Sequence, residues 1–390
     1  MERKALNNVL KHIKNGALRV TYWDDSDITY GTGEPLVHVT IHSPKAVRAM
    51  MRRLTLGFGE SYMNELIDVD GPLDQINRLA SQNKPTLTFL KGLRWVRAKN
   101  NNVRGRQRSQ IAHHYDIGNN FYKIWLDDTM MYSCAYFKKS SNTLEQAQKQ
   151  KIDHLLKKLQ LKKNTNLLDI GCGWGTLLIT AAKKYGVSGM GITLSKNQCD
   201  HARRAAKKAG VSKLVTFELM NYQDLAEQGK KFDRIVSVGM YEHVGRGNHS
   251  RYFKAVDTML ANNGLSVLHT ITHTHETPTD PWIDTYIFPG GYIPSVRETI
   301  NKLPAHDFQL LDYENLRIHY AMTLDEWWRR FENHKAKVIK MYDEKFYRMW
   351  RLYLASSSAA FRYGDLNLSQ FVFSKGNDNT LPLTRENLYK

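Results

Sequence analysis

Between residues 142 and 271 the chain switches repeatedly between amphipathic helical spacing and short unbroken apolar runs. Ile152, Leu155, Leu156 and Leu159 fall on one helical face, and Thr143 with Gln146 has the spacing of a capping box, so an amphipathic helix is predicted there. Leu167 to Ile170 reads as a buried strand, Gly171 to Gly175 as a turn, Leu177 to Lys184 as a helix and Val187 to Leu194 as a second strand. Together they make a βαβ unit. The alternation continues with a helix from Gln198 to Lys208 ended by Gly210, strands at Leu214 to Leu219 and Arg234 to Val238, a helix at Tyr252 to Leu260 and a strand at Leu265 to Ile271. Phe308 to Leu311 and Gln370 to Phe373 bring the sheet to seven strands, with a helical region at about 320 to 362 between them. Such alternation predicts an α/β fold with a doubly wound, mostly parallel sheet. No internal repeat is present.

The first 90 residues read differently. Short alternating runs at Leu18 to Tyr22 and Pro35 to Ile41, with helices near 45 to 54 and 72 to 81, predict a smaller N-terminal α/β domain. Residues 91–110 then carry Lys91, Arg94, Arg97, Lys99, Arg104, Arg106 and Arg108 without an acid, the pattern of a basic linker or of an ordinary solvated connection. The division expected is therefore 1–90, 91–110 and a larger domain over 111–390.

Composition narrows the class. With 42% hydrophobic and 24% charged residues the chain is globular and not disordered or collagen-like. No apolar run reaches the roughly 18 residues of a membrane span, and the start MERKALNNVLKHIKNG lacks the apolar core of a signal peptide, so a cytoplasmic location is expected. The three cysteines, Cys134, Cys172 and Cys199, have no paired spacing, which argues against a disulfide framework or a cysteine zinc site. The net charge of +18 points to an anionic partner, either nucleic acid or acidic phospholipid. No signature of a nucleic-acid-reading module accompanies it.

The chemistry concentrates at LLDIGCGWG, residues 167–175. Gly171, Gly173 and Gly175 sit where a strand ends and a helix begins, which lets the backbone turn sharply and lie against a nucleoside-containing ligand. Asp169 at that strand end suits an ammonium. A dinucleotide site would place an acid about 20 residues beyond the glycines, and none occurs between Asp169 and Asp200, which lies inside the next helix. S-adenosylmethionine fits better than NAD, with ribose contacts from hydroxyl, amide or backbone groups.

The chain resembles the cyclopropane-fatty-acyl-phospholipid synthases and the related mycolic acid cyclopropane synthases. The resemblance rests on HHYDIGNNFY at 113–122, MMYSCAYF at 130–137, LLDIGCGWG at 167–175, GITLSKNQ at 191–198, DRIVSVGMYEHVG at 233–245, LHTIT at 268–272 and YIFPGGYIPS at 286–295, in order over about 110–375. It implies a Rossmann-like S-adenosylmethionine-dependent methyltransferase sheet. The implied reaction transfers a methylene group to the cis double bond of unsaturated phospholipid acyl chains, through a carbocation that water must not reach.

The resemblance also implies roles. The base is bicarbonate, held by backbone at Cys134 and Ile271 and by the side chains of Glu242, His269 and Tyr320. Glu242 and His269 would share protons with that anion. The cofactor positions are Tyr132, Ser133, Gly171, Gly173, Thr193, Leu194, Gln198 and Tyr222, beside Asp169 and Gly175 read from the strand end and turn. Asn221, Tyr222, Gln223 and Asp224 stand where the family commonly has an acidic, aromatic, basic, acidic run. No metal is implied. A homodimer at the inner face of the cell membrane is expected, on an anionic phospholipid surface.

Some residues have plainer readings. Cys134 by itself is a small buried apolar residue, His269 a packed histidine, Glu242 with His243 a helix start, and Cys172 and Cys199 packing residues. Tyr286, Phe288, Tyr292, Trp327 and Trp328 suit either an acyl channel or a core. The basic stretch 335–351 is a lipid-facing helix or a solvated one. A related methyltransferase acting on an amine, or adding a methyl branch to an acyl chain, is the alternative activity.

Overall fold

The structure is a computed structural model that describes residues 2–83 and 117–389. The basic stretch 91–110 and the first residues of the 113–122 motif lie outside the described residues. Two compact units form: one from the described residues of Met1–Lys99 with Pro278–Pro289 and Leu324–Asp365, the other from those of Asn100–Thr277 with Gly290–Thr323 and Leu366–Lys390.

In the first unit, strands β1 (Gly16–Thr21), β2 (Asp27–Thr32), β3 (Leu36–Ile41) and β4 (Ile67–Asp70) form a sheet in the order β2-β1-β3-β4. β2 is absent from the sequence prediction because only Tyr30 along it is buried, so its pattern carries little periodicity. The helix predicted near 45–54 runs Pro44–Met63, with a kink at Leu54, whose φ of 42° is not helical. Gly57 and Gly59 beyond it lower helix propensity, and the sequence therefore reads as ending there.

The expected helical region at about 320–362 is three helices, Arg317–Glu332, Lys335–Met341 and Glu344–Arg362. The basic stretch within it divides by role. Arg348 donates to the carbonyls of Tyr62 (2.5 Å) and Ile67 (2.7 Å), and Arg351 to Glu332 (3.1 Å) and the Tyr62 hydroxyl (2.7 Å), so both are internal fasteners. Lys335, Lys337, Lys340 and Lys345 are exposed.

The second unit holds the predicted doubly wound sheet. Its strands are β5 (Asn166–Ile170), β6 (Ser188–Thr193), β7 (Val215–Leu219), β8 (Phe232–Val238), β9 (Leu260–His273), β10 (Phe308–Asn315) and β11 (Leu366–Lys375), in the order β10-β11-β9-β8-β5-β6-β7. Every neighbour pair is parallel except those of β11, which is antiparallel to β9 and β10. The order reverses at the β5/β8 junction, the place where such sheets bind ligands beyond their carboxyl ends.

Alternation along the strands builds two cores. Leu167, Val236, Val267 and Val372 face one side, with Ile152, Leu155, Leu156 and Leu159 of the predicted amphipathic helix. Leu168, Ile235, Leu268 and Phe371 face the other. That helix, Leu144–Lys158, starts in a full capping box between Thr143 and Gln146. Thr143→Ala is expected to cost about 1 kcal/mol in urea unfolding. No change in the midpoint would show that the cap adds nothing.

Candidate active site

The turn after β5 and the ends of β6 and β8 enclose a cleft of about 980 Å3, counting space open to solvent. Of the residues expected at a cofactor, Tyr132, Ser133, Asp169, Gly171, Gly173, Thr193, Leu194, Gln198 and Tyr222 all line it. Gly171 has φ 81°, and a Cβ there would stand 2.7 Å from the Met240 Cβ, so the turn tolerates only glycine. Gly175 does not line the cleft. It caps the helix Thr176–Tyr185 at φ 87°, where a Cβ would meet Ala202 and Phe217 at 2.8 Å, and so it packs helix against sheet.

The cleft suits a nucleoside with a cationic tail. Thr193 Oγ1 donates to Gln198 Oε1 at 2.7 Å, fixing the amide at the end of β6, where the dinucleotide acid is missing. Burial pushes the Asp169 carboxyl up to about 7, against the pull of Lys151. Asn221 Oδ1 accepts from Gln223 N at 2.9 Å and starts the helix Tyr222–Glu227, while Asn221 and Tyr222 line the cleft. The amide thus keeps an acid's capping role without its charge.

The residues expected to hold the base fall into two hydrogen-bonded groups. Glu242 lies in the short turn Tyr241–His243, between the cleft-lining Met240 and His243, and its Oε1 accepts from Ile271 N at 2.7 Å. The Gly239 N–H donates to the His269 carbonyl at 2.9 Å, which ties the same turn to β9. Gln370, directly opposite His269 on β11, is placed with its nitrogen 3.1 Å from His269 Nδ1, an assignment that leaves the ring proton on Nε2. In the other group Ala135 N donates to Thr323 Oγ1 at 3.0 Å, linking the Cys134 segment to the helix that carries Tyr320 one turn earlier.

The electrostatics mark a dry polar site. Burial raises the Glu242 carboxyl to about 7 and drives His269 well below its usual value, so the imidazole is neutral. Glu242 Oε2 and His269 Nε2 are buried with no hydrogen-bond partner among the described residues. A part-protonated carboxyl and a ring N–H are donors, and they fit a small oxyanion. The Cys134 thiol is pushed up by burial and donates to the Ala135 carbonyl at 3.1 Å; it is no thiolate nucleophile. Among the described residues no cluster of His, Cys, Asp or Glu is arranged to hold a metal.

Several residues at the site were not anticipated. Met240 and His243 line the cleft, Gln370 orients His269, and Gln148 and Lys151 lie buried beneath Ser133. Lys151 did leave a signal, because it interrupts the apolar face of its helix one turn before Leu155. Of the aromatic residues, Tyr292 bonds Glu298 at 2.9 Å and Trp327 is fully buried, both packing uses.

The family described as mycolic acid cyclopropane synthetase matches residues 103–371, and a domain family of unknown function matches residues 5–90. The cyclopropane-fatty-acyl-phospholipid synthase of Escherichia coli (strain K12) is 38% identical over 359 residues, covering 90% of this chain and 92% of that protein. A "Probable fatty acid methyltransferase" of Pseudomonas putida is 35% identical over 382 residues, covering 96% of each chain. Among solved structures, mycolic acid cyclopropane synthase CmaA1 complexed with SAH and CTAB superposes with a TM-score of 0.64 at 34% identity, over 69% of this chain and 98% of that one.

Proposed function

This chain belongs to the mycolic acid cyclopropane synthetase family, and we propose that it transfers a methylene unit from S-adenosylmethionine to the cis double bond of an unsaturated phospholipid acyl chain, closing a cyclopropane ring. The observation that carries this reading is the buried Glu242, tethered to the Ile271 N–H by a turn that lines the cleft and whose Gly239 N–H bonds the His269 carbonyl. Amine methylation would need no such second polar site.

When bound, S-adenosylmethionine would supply an electrophilic methyl group to one alkene carbon, with the sulfur departing as a neutral thioether. The substrate cation then loses a proton from the transferred methyl, and that C–H pair closes the ring. Bound bicarbonate supplies the base when present. The protein's part is to orient and to keep water out. Tyr132, Ser133, Asp169, Thr193 and Gln198 hold the cofactor against the glycine turn, where proximity lowers the barrier. Glu242 and His269 stay uncharged near pH 7 in part or in full, and so present donors to an anion without repelling it.

Access to lipid follows from charge. The net +18, with exposed Lys335, Lys337, Lys340 and Lys345, favours reversible docking on anionic phospholipid at about 1 kcal/mol per well-placed cation. Among the described residues no helix is long and apolar enough to cross a membrane.

The test is incubation of the purified protein with S-adenosylmethionine and vesicles of cis-unsaturated, partly anionic phospholipid, with and without added bicarbonate. The acyl chains are expected to gain one methylene in a ring, shown by a ring-specific assay after mass spectrometry, and to do so faster with bicarbonate. Vesicle binding and cofactor binding without any acyl product would defeat the proposal in favour of an amine acceptor.

A further inference from the structure

The helix Leu144–Lys158 buries two polar side chains completely, Gln148 and Lys151, each 0% exposed. Both reach the segment 131–134. Gln148 Nε2 donates to the carbonyls of Ser133 at 2.9 Å and Met131 at 3.3 Å, and Lys151 Nζ donates to Ser133 Oγ at 2.8 Å. One turn earlier the Ala147 carbonyl accepts from Tyr136 N at 3.1 Å. The segment so fastened carries Tyr132 and Ser133, which line the cleft, and Cys134 just beyond it.

A fully buried ammonium is an expensive way to fix a serine. An apolar side chain of similar length would pack there at less cost, unless opposite charges lie close by. They do. Leu167 packs in one cluster with Leu155 and Leu156 of this helix, and strand alternation puts Asp169 on the same face of β5. Asp127 is buried as well, its carboxylate accepting from Thr129 N at 2.9 Å and Met131 N at 3.1 Å. Both carboxylates act on the Lys151 ammonium, which burial otherwise pulls down.

Among the described residues, the cysteines and histidines near this spot are neutral near pH 7. Burial pushes the thiols of Cys134 and Cys172 up, takes His243 down to about 4 and drives His269 well below its usual value. Of these charged groups Asp169 lines the cleft itself, while Lys151 and Asp127 are buried and do not line it.

We propose that Lys151 is a positioning residue of the cofactor cleft: it holds the 131–134 segment through Ser133 and supplies the counter-charge that lets Asp169 meet a cationic ligand as a carboxylate. The inference rests on the reading that the cleft takes S-adenosylmethionine. Without the ammonium, the buried Asp169 would lose the positive charge that opposes its desolvation, take up a proton and lose its attraction for the sulfonium ligand.

The test is S-adenosylmethionine binding by calorimetry between pH 6 and 9 on the full-length protein, with thermal melts as a folding control. Wild type is expected to bind more weakly as pH falls through the Asp169 transition. Lys151→Gln should move that midpoint upward by about one unit and weaken binding at pH 7 about fivefold. Asp169→Asn should abolish the midpoint. Lys151→Arg keeps the cation and should keep the midpoint, which leaves the idea testable even if the neutral variant misfolds. A folded Gln variant with the wild-type midpoint and affinity overturns the proposal, as does an Arg variant whose midpoint moves upward. Wild type that binds no cofactor at any pH would instead remove the premise, and the inference with it.

Discussion

Replacing Glu242 by Gln is expected to abolish most ring formation, a loss of about 10²- to 10⁴-fold in kcat, the usual worth of a positioned acid–base group. The amide oxygen can still accept from Ile271 N–H, so the turn Tyr241–His243 should keep its place and cofactor binding should change little. What disappears is the ionisable carboxyl proton of a buried group. Dependence on bicarbonate should vanish with it, and full bicarbonate dependence in a folded Glu242→Gln protein would remove Glu242 from the base site.

The same substitution should stabilise the fold at alkaline pH. Glu242 has its carboxyl raised from 4.5 to about 7 in the folded chain. Below the unfolded value both states hold the proton and no penalty exists. As pH rises from there the unfolded chain ionises first, and stability is lost until the folded carboxyl ionises in turn. A shift of that size corresponds to a loss on the order of 3 kcal/mol, and Gln cannot suffer it. Chemical denaturation at pH 5 and pH 8 should therefore find the variant gaining on wild type as pH rises. Parallel pH curves would mean that Glu242 is not the buried titrating group. Lower activity in a more stable protein would also exclude unfolding as the cause of the loss.

The second large effect belongs to Gly171. An alanine there must adopt φ near 81° and place its Cβ 2.7 Å from the Met240 Cβ. The left-handed backbone alone costs roughly 1–2 kcal/mol, and Met240, which lines the cleft, must also move. S-adenosylmethionine affinity is expected to fall about 100-fold, equivalent to roughly 3 kcal/mol, while unfolding shifts less because the strain sits at the cleft rim. Calorimetric titration beside a melting curve separates the two. Wild-type affinity in Gly171→Ala would show that the turn does not approach the ligand.

How much of this was legible beforehand depended on the distance over which each feature is decided. The capping box at Thr143, the strand at Leu167 to Ile170 and the glycine turn were readable because a few neighbouring residues determine them. Strand β2 escaped because its side chains face mostly outward, leaving no apolar period to detect. The positions that the motifs suggest for a cofactor, from Tyr132 to Tyr222, meet in one cleft, except Gly175, whose positive φ serves helix packing. Lys151 is by composition one more lysine in a basic chain, and only its place on an apolar stripe sets it apart.

The sequence by itself determined the element types, the sharp turn at Gly171 to Gly175 and the residue types available for chemistry, since these depend on backbone sterics and on periodicity within one segment. The tertiary structure alone decided what those residues are chemically. β11 inserts between β9 and β10 and sets Gln370 against His269 in register. The turn after β8 brings Glu242 to Ile271, and the helix Leu144–Lys158 seals Lys151 beneath Ser133. Burial by such distant segments removes water from these groups, and loss of hydration is what raises Glu242 and Asp169 and keeps His269 neutral.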